Sequence, residues 1–337
     1  MDIDSLIDQL ARNEALAHKF HELESRILSI LNFRDFFEIL LTSVGSMFDI
    51  PHVWLTFIDG TPMAESIRSM DDSQLLSRST SSMSLETFAA ITGSSTKPLL
   101  ANTGLDRFIP LFPTDAPHDI GSLAITPIVL EGAILGSLNQ ADADTSRFEP
   151  GMNTDLLERL ALKISLCLMN VSAHEQLRFL AYHDTLTGLL NRRVMESILE
   201  REFERAHRYA SDLTVIFIDL DRFKQINDTH GHDHGDAALI HVANALEELR
   251  RNSDVVARFA GDEFVVILPS TDPVKAQSFT DRIVEYLHSN PMIINGLEIF
   301  ISLSSGIAST RDKAATTPSA LLKLSDERLY QAKQNRP

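Results

Sequence analysis

Cysteine is nearly absent from this chain: of 337 residues, only Cys167 carries a thiol. A single thiol excludes an internal disulfide and makes a reducing compartment such as the cytosol the expectation. Cys167 lies in the apolar run LALKISLCLMN, where a small buried hydrophobe is the expected role rather than a nucleophile. Long apolar runs are missing too. That same run comes nearest to a membrane span, and Lys163 and Asn170 cut it far short of the roughly 20 apolar residues a span needs. The acidic opening MDIDSLIDQL does not read as a signal peptide. Positive charge is in deficit, with 30 Lys and Arg against 47 Asp and Glu and a formal charge of −17. Such a surface repels polyanions, which excludes general nucleic-acid binding; a compact anionic ligand is admitted only where cations or a metal are placed locally. A soluble, cytoplasmic protein with neither membrane nor nucleic acid among its partners is the expectation.

The length allows two domains with separate cores. Through about residue 31, Leu16, Phe20, Leu23, Ile27 and Ile30 recur at alternating four- and three-residue steps, which is one face of a helix and a candidate dimer seam. Residues 34 to 48 continue as a second amphipathic helix. HVWLTFID reads as a strand, a loop-rich stretch follows, and SLAITPIVLEGAILGSLNQAD reads as a hairpin about Glu131-Gly132. From Asn153 to Tyr182 the pattern is helical, with Leu160, Ile164, Cys167 and Val171 on one stripe and neither Gly nor Pro to interrupt it. Such a helix can act as a stiff connector. This order of elements resembles the GAF class of sensor domains over residues 35 to 172. The segment SRFEPGMNTDLLERLA is similar to a GAF-related family of uncharacterised bacterial domains. The resemblance implies an unknown small molecule in a pocket, or a dimerisation module without one. Trp54, the single tryptophan, is expected in the core.

The second half alternates helix and strand. RRVMESILEREFERAHRYA, GDAALIHVANALEELRR, PVKAQSFTDRIVEYLHS and PSALLKLSDERLYQAKQ are helical, and LTVIFIDL is a buried strand. DVVARF and FVVILP form a hairpin, and MIINGLEIFISLSSGIAST carries two more strands about Asn295-Gly296. The fold class is α+β, with a mixed antiparallel sheet and surrounding helices in a palm-like arrangement. Residues 1–33 are the N-terminal helix, 34–152 the sensor domain, 153–182 the connecting helix and 183–337 the palm-like domain.

The stretch FIDLDRFKQINDTHGHDHGD crowds His230, His232 and His234 among five aspartates. Asp219 ends an apolar strand, and the hairpin DVVARFAGDEFVVILP turns at AGDE, where Gly261 can supply a positive φ. If these strands are neighbours, Asp219 and Asp262 meet at one rim of the sheet. Two bare carboxylates ~4 Å apart repel by about 4 kcal/mol at an effective dielectric near 20, which calls for a cation, and hard oxygen ligands select Mg²⁺ or Mn²⁺. On spacing alone, two solvated loop acids remain an equal reading.

RFAGDEF, FIDLDRFKQINDTHGHDHGD and DTLTGLLNRR, in this order and at these distances, resemble the GGDEF family of diguanylate cyclases from about residue 178 onward. The resemblance implies a nucleotidyltransferase that condenses two GTP into cyclic di-GMP with loss of two pyrophosphates. It implies Asp219, Asp262 and the Leu220 carbonyl as ligands of two Mg²⁺ or Mn²⁺ ions per GTP site. Asp262 would also take the proton from the 3′-hydroxyl, with Glu263 beside it. Asn227 and Asp236 match the guanine readers, His232 a substrate contact and Lys224 a phosphate contact. Phe223 and Leu239 would line the pocket. His230 and His234 occupy positions the motif leaves variable, and no Cys or further His completes a tetrahedral site. Lys333 matches a phosphate-holding cation of the last helix, with Arg336 displaced by one position. The signature's first glycine is Ala260 here.

The resemblance also places a product-inhibition site at Arg251 and Asp254 of RNSD, with Arg282 as a second arm. An RxxD recurs at Arg68–Asp71, where a surface ion pair suffices. Each domain would hold one GTP, so turnover would need a homodimer, with the Asn153–Tyr182 helix as a lever. Two other functions compete: a silent cyclic di-GMP receptor, and a cyclase making a mixed guanine–adenine dinucleotide. Asp219, Asn227, Asp236 and Asp262, which a receptor need not keep, weigh against the first, and Asp236 weighs against the second.

Overall fold

A computed structural model describes residues 3–61, 63–64, 73–114, 119–294 and 296–334. It divides into two compact units, residues 1–177 and 178–337.

In the first unit, helix α1 (Ile3–Leu28) is followed by α2 (Phe33–Phe48), which Asn32 caps by accepting from the Asp35 N–H at 2.9 Å. Strands β1 (His52–Ile58), β2 (Thr80–Met83), β3 (Leu99–Ala101), β4 (Ser122–Leu130) and β5 (Ala133–Asp142) form one sheet in the order β2-β1-β5-β4-β3. Short helices α3 (Gln74–Arg78) and α4 (Leu85–Thr92) and a 3₁₀ turn (Leu105–Leu111) sit between these strands in the chain. The hairpin about Glu131-Gly132 forms as its sequence implies, with Leu130 opposite Ala133.

One face of this sheet, through Leu55, Phe57 and Leu138, packs on α1, α2 and the long helix α5 (Asp155–Tyr182). On α5 the buried stripe is Leu160, Ile164, Cys167 and Val171, as the spacing implies. The first helix departs from expectation. Leu23 and Ile27 are fully buried, Ile30 is nearly so, and Leu16 and Phe20 pack against the same core. The face whose periodicity suggested a dimer seam is therefore occupied within the domain, because a heptad-like spacing serves an internal core as readily as a coiled coil. The other sheet face is filled by Trp54, Phe88, Phe108 and Leu111. Trp54 is a core residue, and its Nε1–H donates to the Leu111 carbonyl at 2.8 Å.

In the second unit, β6 (Leu190–Asn191), β7 (Leu213–Leu220), β8 (Val255–Ala260), β9 (Glu263–Pro269) and β12 (Leu303–Ser309) build a sheet in the order β12-β7-β9-β8-β6. All contacts are antiparallel except β6 with β8. A separate two-stranded hairpin pairs β10 (Met292–Ile294) with β11 (Leu297–Ile299). The segment expected to hold two strands thus holds three. The last, with small residues on both faces, joins the main sheet as an edge. Asn295 itself lies outside the described residues.

Every residue of β7 is buried, which explains why LTVIFIDL shows no polar alternation. Ile216 and Ile218 pack under α8 (His232–Leu249) and α9 (Pro273–Ser289). Val215 and Phe217 pack under α6 (Arg192–Tyr209) and α10 (Pro318–Gln334). This mixed α/β sandwich brings α10 against β12 at Gly306. A Cβ there would overlap the Ser325 carbonyl and the Leu329 N–H and lie 2.9 Å from the Arg328 carbonyl carbon. Because these are backbone atoms of a packed helix, Gly306→Ala is expected to destabilise the second unit by about 3 kcal/mol, the upper end for overpacking. Urea unfolding of the full chain measures this; an unchanged midpoint would contradict the close approach.

Candidate active site

Strand β7 delivers Asp219 to the rim of the sheet, opposite Glu263 of β9 and Ser304 of β12. Beyond it, the Leu220 N–H donates to the Asp262 carbonyl at 3.2 Å. Asp262 stands in a two-residue turn closed by the Ala260–Glu263 pair, and Gly261 in its first position has φ +50. Turns of this length favour glycine there. Ala260 is exposed and has no positive φ, so its methyl is accommodated without strain. Asp219, Asp262 and Glu263 are thus gathered on one rim.

The turn is tied down by a residue to which the sequence reading gave no role. Arg258 donates from Nε and Nη2 to the Gly261 carbonyl at 2.9 and 2.7 Å, and from Nη1 to both Asp184 oxygens at 2.9 and 3.1 Å. Asp184 also accepts from the Thr187 N–H and hydroxyl at 2.9 and 2.8 Å. Burial alone would raise its carboxyl, but the bonds from Thr187 and Arg258 outweigh burial and hold it below the ordinary range. Both partners lie in quoted motifs, RFAGDEF and DTLTG, which was the available signal.

Lys333 of α10 places Nζ 2.5 Å from Asp219 Oδ1. Asp219 is 7% exposed, and its carboxyl is pushed up chiefly by burial; the Lys333 hydrogen bond opposes this and the Asp262 charge adds to it. Glu263 is pushed up by burial and then by the charges of Asp219, Asp262 and Asp326, with only weak relief from Lys333. The rim therefore has more negative charge than the Lys333 ammonium balances. A hard divalent cation fits this donor set, with Asp219, Asp262 and the Leu220 carbonyl as candidate protein ligands and the remaining positions left to water and phosphate. Among the described residues no three His, Cys, Asp or Glu side chains form a metal-holding group. His230 and His234 stand with ring centroids 6.1 Å apart, and the buried His234 Nδ1 has no hydrogen-bond partner among the described residues.

Helix α7 (Phe223–His230) follows Arg222 in a left-handed conformation and joins α8 through Gly231 at φ +92. Asn227 is half-buried and accepts from the Gly231 N–H at 2.9 Å, closing α7. Asp236, His232 and Lys224 are exposed, while Leu239 is buried and Phe223 packs on the same core. A cavity of about 770 Å³ reaches Asp219 and Lys333 and is lined from α7 by Gln225, Ile226, Thr229 and His230. Phe223, Asn227 and Asp236 are not among its lining residues, so this cavity reaches the rim at Asp219 and not the expected guanine readers. Arg336 lies outside the described residues.

On another part of the unit, Asp254 is buried and accepts from the Arg251 N–H at 2.9 Å. Arg251, Asp254 and Arg282 share one pocket of about 100 Å³ with Lys275, Thr271 and Ser278. Spacing alone did not suggest Lys275, which lies two helical turns before Arg282. The Arg68–Asp71 copy falls outside the described residues.

A carboxyl with a higher pKa folded than unfolded binds protons on folding, so its contribution favours the fold in acid and is lost as pH rises through the folded value. Glu263, raised from 4.5, is such a group. Glu263→Gln is therefore expected to raise the metal-free Tm at pH 7 by about 2–4 °C, with the gain disappearing toward pH 4. Thermal melts across pH test this; an equal gain at both ends would contradict the charge crowding.

Comparison with known proteins adds the family. Residues 181–337 match the GGDEF family, described as diguanylate cyclase, GGDEF domain, and residues 1–170 match DUF484, a protein family of unknown function. The diguanylate cyclase TpbB of Pseudomonas aeruginosa is 40% identical over 155 residues, covering 46% of this chain and 35% of TpbB. The response regulator PleD of Caulobacter vibrioides is 40% identical over 156 residues, 46% of this chain and 34% of PleD. Among solved structures, the isolated GGDEF domain of TpbB is 39% identical, with TM-score 0.44, over 46% of this chain and 90% of that one. The chain thus spans about a third of the length of the curated relatives it matches. It belongs to the DUF484 family through its N-terminal half and carries a GGDEF domain of the diguanylate cyclase family in its C-terminal half.

Proposed function

We propose that the protein is an active diguanylate cyclase, condensing two GTP into cyclic di-GMP and two pyrophosphates in the cytoplasm. The observation that carries this reading is the meeting of Asp219 and Asp262 on one rim, joined through the Leu220 N–H and the Asp262 carbonyl. Asp219, Asp262 and the Leu220 carbonyl would hold Mg²⁺ or Mn²⁺, two ions per nucleotide. When bound, such ions neutralise triphosphate charge and lower the pKa of the attacking hydroxyl.

The chain's own residues do the rest. Asp262 accepts the 3′-hydroxyl proton of one GTP, the 3′-oxygen bonds to the α-phosphorus of the other, and the bond to pyrophosphate breaks. Each GTP attacks once, so two pyrophosphates leave. Glu263 borders the acid pair, and Lys333 and Lys224 carry charge toward the phosphates, with Arg336 a further candidate. Asn227 and Asp236 read guanine, since a carboxylate accepts from the N1–H and N2–H₂ edge that adenine lacks. His232 is a further substrate contact, with Phe223 and Leu239 behind it.

Two GTP-loaded domains must face each other, which requires a homodimer. The outer face of α5 supports one, because Leu162, Leu166, Met169 and Leu177 are exposed at near-heptad spacing. Residues 34–152 would act as a GAF-like sensor, with 1–33 packed on it, and 153–182 would transmit its state to the catalytic domain at 183–337. Arg251, Asp254 and Arg282 would bind the product and lower activity, as the shared pocket supports.

Incubation with GTP and Mg²⁺ tests the reading. Cyclic di-GMP is expected, with specific activity rising with protein concentration, and Asp262→Ala should lower turnover by at least about a thousandfold while leaving the melt intact. Arg251→Ala should keep synthesis and lose product inhibition. No product at any protein concentration would leave a silent receptor, and incorporation of ATP would indicate a mixed dinucleotide.

A further inference from the structure

Gly235 stands in the first turns of α8, buried, where glycine is among the poorest helix formers. Its backbone is ordinary, with no positive φ, so conformation does not require glycine at this position. Space does. A Cβ on Gly235 would overlap Asn227 Oδ1 and lie 2.9 Å from Asn227 Cγ and 3.3 Å from Nδ2, and these are its three nearest neighbours. The room left by the missing side chain is filled by one carboxamide, reaching across from α7. The Asn227 main chain is held as well, by the Gly231 N–H at 2.9 Å. Asp236 is the next residue along α8.

We propose that Gly235 is a positioning residue for guanine recognition. By presenting bare helix backbone to the Asn227 carboxamide, it sets that group beside Asp236 before any nucleotide arrives. The inference rests on the reading of Asn227 and Asp236 as the guanine readers. It differs from a packing role in a measurable way. At Gly306 the obstructing atoms are backbone, whereas at Gly235 they are the end of one side chain that can rotate away. An alanine at 235 therefore displaces Asn227 and leaves the helices in place, and alanine is the better helix former.

Titrations with GMP and AMP, which lack a pyrophosphate leaving group, separate binding from turnover. Gly235→Ala is expected to weaken GMP by about tenfold or more and to leave AMP unchanged, with Tm equal to or above the parent. Asn227→Ala should lose the same preference, and the double variant should be no worse than Asn227→Ala alone. GMP binding by Gly235→Ala at parental strength, or an additive loss in the double variant, would overturn the proposal. Should Gly235→Ala fail to fold, Asn227→Ala is expected to restore it, and a double variant that also fails to fold places the clash elsewhere and overturns the proposal too. A parent protein that does not prefer GMP over AMP would instead remove the guanine-reader assignment beneath it.

Discussion

Acidic side chains forced together at the edge of a buried sheet set the terms for the rest of the C-terminal domain. Asp219 cannot move away, because β7 is buried along its whole length and paired on both sides. Asp262 cannot either, because its turn is bonded to Leu220 and clamped by Arg258 to Asp184. Burial and mutual repulsion raise the carboxyls of Asp219 and Glu263, and Lys333 offsets only part of this. On the proposed function, a protein of formal charge −17 would attract a polyphosphate only through such a local arrangement, in which fixed acids would recruit cations and the cations the anion. Crowding that lowers the stability of the empty fold would equip the rim for the proposed binding.

The surrounding scaffold holds this arrangement from three directions. Helix α10 approaches β12 at Gly306 closely enough to bring Lys333 over Asp219. The Asp184–Arg258 clamp links the start of the domain to the turn that carries Asp262. Helices α7 and α8 meet where Gly235 makes room for Asn227. Each device constrains one part of the site, and all three hang from the same five-stranded sheet.

Much of this was legible in the sequence for physical reasons. An unbroken β-branched run ending in aspartate reads as a central strand reaching a rim, and glycine before aspartate between two apolar runs reads as a hairpin turn. Those two patterns placed Asp219 and Asp262 at strand ends, but whether they met depended on the strands being neighbours. Spacing alone left two solvated loop acids an equal reading until the family resemblance was added. The Arg258–Asp184 pair was hidden because its partners are 74 residues apart and either could be a solvated surface charge. Leu23 and Ile27 misled because helical periodicity reports an apolar face without naming what covers it. The alternation in SLSSGIAST is weak because small residues face both ways, so β12 merged with the hairpin before it. Lys275 was missed because only the folded helix brings it to the Arg251 pocket.

The central claim is that the rim carboxylates bind nucleotide through divalent cations. Calorimetric titration of GTP into the protein with Mg²⁺ and with EDTA, for the parent and for Asp219→Asn, tests it most directly. The account predicts that Mg²⁺ strengthens GTP binding to the parent and that Asp219→Asn removes most of that metal dependence. A variant whose GTP affinity responds to Mg²⁺ as strongly as the parent's would contradict it.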